Sequence, residues 1–172
     1  MAIKIITTGG TIDDLDYDSL DKAPLNHRSL VPELLKQSRL TIDYTIKELF
    51  ARDSRFVTND DRKLLLKECS SSIESQIIIS HGTMTMAHTA QYLGKAGLGK
   101  IKTIVLFGAA VPANHKGSDA LFNLGAAINA VQLLPSGVYI GMNGHIFSWD
   151  NVKKNTEKGV FVPLNQKTAQ TS

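Results

Sequence analysis

Short β-branched and apolar runs alternate along the chain with longer stretches in which apolar residues recur every three or four positions. That alternation predicts βα units wound around a parallel sheet. Ile3 to Thr7 reads as the first strand, ended by Gly9 and Gly10, and the acidic stretch from Asp13 to Asp21 has the polarity of a mobile loop. Ser29 to Gln37 predicts a helix and Thr41 to Ile46 a second strand. Thr58 followed by Asp61 has the form of a capping box, opening a helix that carries Leu64 to Cys69. Gln76 to Ser80, with its three consecutive isoleucines, has the pattern of a central strand covered on both faces. It runs into His81, Gly82 and Thr83 and then a helix near Thr85 to Leu93. Lys102 to Phe107 repeats the design and ends in Gly108, Ala109 and Ala110. Ser118 is placed to cap a long helix with Leu121, Leu124, Ile128 and Val131 on one face. Val138 to Met142 is the last long strand, and Asn143-Gly144 is a strong hairpin signal returning through His145 to Trp149. The expected architecture is a doubly wound α/β fold: a mostly parallel sheet, helices on both faces and a C-terminal β-hairpin. Residues 1–157 would form the domain and 158–172 a tail, docked through Phe161 and Leu164.

Composition narrows this picture without changing it. A chain of 172 residues is about the size of one domain, and 42% hydrophobic with 20% charged residues is an ordinary globular balance. The 19 basic and 16 acidic residues are interspersed, so no nucleic acid partner is implied. The N-terminus enters a strand without the cationic and apolar segments of a secretory signal, and no stretch is long and apolar enough for a membrane. A cytoplasmic location is expected. Cys69 can form no internal disulfide; it is either a core residue of its helix or a reactive thiol, and the surrounding Leu65, Leu66 and Ile73 favour the core. The five histidines show no tight metal-ligand spacing, and Gly9-Gly10 lacks the later glycine of a dinucleotide fingerprint. Neither a metal nor another cofactor is expected.

Candidate chemistry lies where an open α/β sheet binds ligands, at the carboxyl ends of its strands. Three small-residue loops end there: Thr7 to Thr11, His81 to Thr85 and Gly108 to Ala110. Glycine lets backbone approach a ligand and turns its N–H groups toward a carboxylate or developing oxyanion, although the same glycines also serve simple βα turns.

Thr-Gly-Gly-Thr-Ile-Asp at residues 8–13 and His-Gly-Thr-Met-Thr-Met at 81–86 resemble the two signature segments of the asparaginase family. Further resemblance follows in order: Asp53-Ser54, Gly108-Ala109 with Pro112, Ser118-Asp119 with Phe122-Asn123-Leu124, and Met142-Asn143 with Val152-Lys153-Lys154-Asn155. The resemblance spans nearly the whole chain and corresponds to the family's N-terminal domain. It implies an amidohydrolase in which Thr11 attacks the side-chain amide carbonyl of L-asparagine or a related small amide, releases ammonia and leaves an acyl-enzyme for water to hydrolyse. Tyr17 would take the threonine proton, or is a solvent-facing residue of the acidic loop. Thr83 and a desolvated Lys154 would form a second catalytic cluster, with Lys153 the alternative if the register slips. Asp53 and Ser54 would hold the amino and carboxylate groups of an amino-acid substrate, with Gly10, Gly82 and Ala109 adding backbone contacts. The implied partners are a small amide or amino acid and a second copy of the chain, since an exposed cleft is often closed by a partner subunit.

Two departures weigh against a simple transfer of function. Where the family has aspartate after the threonine of the second signature, this chain has Met84. Loss of that carboxylate leaves a substrate ammonium and the lysine without their partner, a change that typically costs roughly 2 to 5 kcal/mol for a buried pair. Met84 would then either enlarge the apolar wall of the pocket or turn inward as core, and Asp13 or Asp53 are the nearby acids able to replace the charge. The second departure is that nothing in these residues resembles the family's C-terminal domain. A degenerate, non-catalytic member of the family that binds an amino-acid-like ligand or a protein partner is therefore the rival expectation.

Overall fold

The computed structural model describes residues 2–15 and 28–165. Within them run β1 (Ile3–Thr7), α1 (Val31–Gln37), β2 (Tyr44–Glu48), α2 (Asn59–Ser71), β3 (Gln76–Ser80), α3 (Met86–Lys95), β4 (Thr103–Phe107), α4 (Ala120–Leu133), β5 (Gly137–Met142), β6 (His145–Ser148), β7 (Lys153–Asn155) and β8 (Val160–Val162). Six strands form one sheet in the order β2-β1-β3-β4-β5-β6, parallel except for β6, while β7 and β8 pair as a separate antiparallel hairpin. The doubly wound α/β architecture is as expected.

Strand alternation explains why helices cover both faces. Ile78 of β3 joins Ile3, Ile5 and Val105 beneath α1 and α4, whereas Ile77 and Ile79 join Ile6, Ile104 and Leu106 beneath α2 and α3. From β1 the chain steps to one side as β2 and then crosses to the other as β3. The carboxyl ends of β1 and β3 therefore flank the point where strand order reverses, the usual crevice for a ligand in such sheets.

Local chemistry sets several boundaries. Thr58 and Asp61 form the expected capping box: the Thr58 hydroxyl accepts the Asp61 amide at 3.2 Å, and Asp61 Oδ2 accepts the Thr58 amide at 2.8 Å. Asn143 and Gly144 both have positive φ, 56° and 77°, as the two-residue turn between β5 and β6 requires. The Ser118 hydroxyl accepts the Ala120 amide at the start of α4. Among the described residues no helix is long and apolar enough to cross a membrane.

Four expectations need correction. β2 begins three residues late, because Ile42 packs against the core as a loop residue while the edge strand itself is exposed at every position. Leu121 faces solvent, and Ala120 takes the buried place in the first turn of α4. Asp13 is buried rather than part of a solvated loop: its Oδ1 accepts from the Ser29 hydroxyl at 2.8 Å and the Leu30 amide at 2.9 Å, pinning the approach to α1. Leu164 is exposed, so Phe161 alone of the two docks on the core, and it does so from β8, whose pairing with β7 crosses residue 158. The alternatives for Cys69 are also resolved, since burial pushes its thiol up to about 12 and leaves it a core residue.

Candidate functional site

Close backbone contact between four loops builds the site. Gly9 and Gly10 have φ of 91° and 96°, a region that side chains rarely tolerate. A Cβ on Gly10 would stand 2.4 Å from the Gly82 α-carbon, one on Gly82 2.7 Å from the Ser54 side chain, and one on Gly108 2.4 Å from the His81 carbonyl oxygen. The turns after β1, β3 and β4 and the 53–54 segment thus interlock, glycine against backbone. Thr8 adds a hydrogen bond from its hydroxyl to Ser80 O at 2.7 Å. Half-buried Thr11 opens a one-turn 3-10 helix, Thr11–Asp13, on the loop whose Gly10 touches Gly82.

On the front of the turn after β3, Lys154 Nζ donates to Thr83 Oγ1 at 2.6 Å and lies 3.4 Å from Met84 Sδ. Strand alternation on β7 selects Lys154 for this contact and turns Lys153 to solvent. Burial lowers the Lys154 ammonium from its ordinary value, and no carboxylate of the described residues forms an ion pair with it. Met84 is 45% exposed, so it lines the open side rather than turning into the core. Its amide donates to Ser54 Oγ at 3.2 Å, while the Thr85 hydroxyl donates to Ser54 O at 2.6 Å.

Behind the same turn, His81 is fully buried and burial pushes it down to about 4, so it is neutral. Nδ1 donates to Gly82 O at 2.8 Å, which leaves Nε2 to accept from the Thr89 hydroxyl at 2.9 Å. Arg62 Nε donates to Thr89 Oγ1 at 3.1 Å, and its Nη1 to Val57 O and Asn59 Oδ1. Arg62 and Thr89 were not anticipated from the sequence; a polar residue on the buried stripe of each helix was the signal.

The two acids suggested as replacements for an aspartate at 84 are engaged elsewhere. Asp13 holds Ser29 and Leu30, and Asp53 accepts from the Arg55 amide, Nε and Nη2 at 2.8, 3.0 and 2.8 Å. Adjacency in the chain favours that fork-like pairing. The methyl of Ala109 is in the core, which leaves only its backbone for a ligand. Asp119, part of the family resemblance but given no role there, accepts the Ala110 and Val111 amides and holds the turn after β4. Asn123 then links Gly108 O to the Asn143 amide, and Asn143 Oδ1 accepts from Phe161 N, tying that turn to the hairpin that carries Lys154. Tyr17 lies outside the described residues. No trio of His, Cys, Asp and Glu among the described residues is grouped to hold a metal.

Residues 2–162 match the family described as Asparaginase, N-terminal. The chain belongs to the asparaginase family. It is 30% identical over 173 residues, 92% of its length, to a probable periplasmic L-asparaginase of Haemophilus influenzae, and covers 47% of that protein. It is 26% identical over 95% of its length to a subunit of the glutamyl-tRNA(Gln) amidotransferase of Methanococcus maripaludis, covering 42% of it. The thermostable L-asparaginase of Thermococcus kodakarensis superposes with a TM-score of 0.79 at 22% identity, over 96% of this chain and 52% of that one. The chain thus spans about half the length of these relatives, and its asparaginase domain is the part described above.

Proposed function

We propose that the chain hydrolyses a small amide to the acid and ammonia, with Thr11 as nucleophile and Thr83 and Lys154 assisting. The observation that supports this reading is the 2.6 Å contact from Lys154 Nζ to Thr83 Oγ1, made across 71 residues on the turn that abuts the Thr11 loop. In this scheme Thr11 Oγ attacks the carbonyl carbon as its proton leaves to a base, for which Tyr17 is the candidate. The tetrahedral adduct collapses with the C–N bond breaking, and the proton goes out on the nitrogen as ammonia. Water then attacks the Thr11 ester, and a lysine made less basic by burial is suited to exchange a proton with Thr83 in that step. Gly10, Gly82 and the Ala109 backbone complete the cradle, with the buried Ser54 hydroxyl behind it accepting the Met84 amide.

The substrate in this reading is an amide without an α-ammonium group. Met84 replaces an acceptor with a thioether, Asp53 is taken by Arg55 and Asp13 by Ser29, so a second cation would sit beside Lys154 uncompensated. Action in the cytoplasm and assembly of two copies around the cleft belong to the same proposal. Met84 also favours a second reading, a protein that binds an amino-acid-like ligand without turning it over. Ammonia release from asparagine, glutamine and succinamate separates the two, with Thr11→Ala as control. Turnover that vanishes in the variant is expected, highest on succinamate, whereas a folded protein silent on the whole panel overturns hydrolysis in favour of binding.

A further inference from the structure

Between α2 and α3, on the far side of the His81 turn from Lys154, lies a cavity of about 330 Å³ lined by Asn59, Arg62, His88, Gln91, Tyr92 and Lys95. The four α3 residues recur at i, i+3, i+4 and i+7 and so share one face, and Asn59 and Arg62 stand one turn apart on α2. None of the six is acidic.

Arg62 is the unusual member, because it is a charge at only 8% exposure. Buried charges are normally paired with an opposite one. Its hydrogen bonds go instead to neutral oxygens of Thr89, Val57 and Asn59, and no carboxylate of the described residues forms an ion pair with it. The adjacent acid, Asp61, favours the Arg62 charge through space but makes no hydrogen bond to it, being committed to the capping box and to Arg52 at 3.4 Å. Nη2 donates to none of the described residues, and Lys95 adds a second cation to the same wall. A guanidinium fork with a spare donor beside an ammonium matches a phosphate or carboxylate.

We propose that the α2–α3 groove is an effector site for a small oxyanion held by Arg62 and Lys95, and that its occupancy is transmitted to Gly82 and Thr83. The path is continuous: Arg62 Nε to the Thr89 hydroxyl, that hydroxyl to His81 Nε2, and His81 Nδ1 to Gly82 O. An anion that draws Arg62 toward the groove loosens its hold on Thr89 and with it the orientation of the Gly82-Thr83 peptide. The site goes beyond the amide-hydrolysis proposal and does not depend on it.

The test is a titration of the ¹⁵N-labelled full chain with sodium phosphate, then with succinate, each against sodium chloride at matched ionic strength. Saturable shifts are expected at Tyr92 and Lys95 and also at the Gly82 and Thr83 amides, and the stronger of the two probes identifies phosphate or carboxylate as the natural headgroup. Lys95→Glu, an exposed change that leaves the fold intact, should weaken binding at least tenfold. Shifts no larger than those with chloride, an unchanged titration in Lys95→Glu, or binding that leaves Gly82 and Thr83 unmoved each overturn the inference.

Discussion

The two sides of the turn at residues 81–85 each hold a cation that forms no ion pair with a described carboxylate, but they satisfy it differently. Behind it, a neutral histidine, a threonine and an arginine form a chain of hydrogen bonds in which each donor meets a neutral oxygen or nitrogen. In front, a half-buried lysine meets one hydroxyl and one thioether, and its charge is left without a described counterion. The back is therefore scaffold, holding a peptide in one orientation. The front is reactive, because a desolvated amine held by only one hydroxyl and a thioether has more to gain from a substrate or a proton transfer than an arginine bonded to three oxygens.

Removing the front amine should have the largest effect. Lys154→Met keeps the length of the side chain, and kcat on the best amide is expected to fall about 10³-fold with the circular dichroism spectrum unchanged; a fall of less than tenfold would make the lysine structural. Met84→Asp restores a carboxylate beside Lys154, and kcat/KM for asparagine should rise thirtyfold or more, in line with the roughly 2 to 5 kcal/mol that one member of a buried pair commands. No gain would falsify the view that the missing acceptor governs substrate choice.

The back side is read by stability instead. Unfolded, His81 takes up a proton near 6.5; folded, it resists until about 4. Its contribution is fully present above the unfolded value and is lost as pH falls from there toward 4, by about 3 kcal/mol in all. Urea denaturation across that range should show the slope, and His81→Gln should flatten it; equal slopes in both proteins would place the titration elsewhere. The smallest change is Thr58→Ala, which removes the cap of the helix that carries Arg62. A loss of about 1 kcal/mol is expected, with amide turnover within twofold of the parent. If turnover falls further, the back scaffold reaches the front more strongly than its hydrogen bonds suggest.

Legibility in the sequence followed the strength of local signals. β3 and β4 were plain because strands buried on both faces are apolar at nearly every position, and the Thr58–Asp61 box was plain because its partners are three residues apart. Edge strand β2 was misplaced because an exposed strand has little hydrophobic pattern to read. Hairpin β7–β8 was missed because three-residue strands fall below any periodicity. Asp13, Asp53 and Arg62 were opaque for a different reason. Each is an ordinary polar letter in a string, and its commitment depends on which donor or acceptor the fold brings to it.

The chain's own order of residues determined the doubly wound class, the strand ends where chemistry gathers and the glycines that permit it, since periodicity, capping and positive φ are properties of neighbours. Tertiary structure alone decided that Lys154 rather than Lys153 meets Thr83, that Met84 stays at the open side, and that Asp13 and Asp53 are already occupied. Those outcomes rest on contacts between residues far apart in the chain and on burial, which sets both the cost of a charge and the partner that can relieve it.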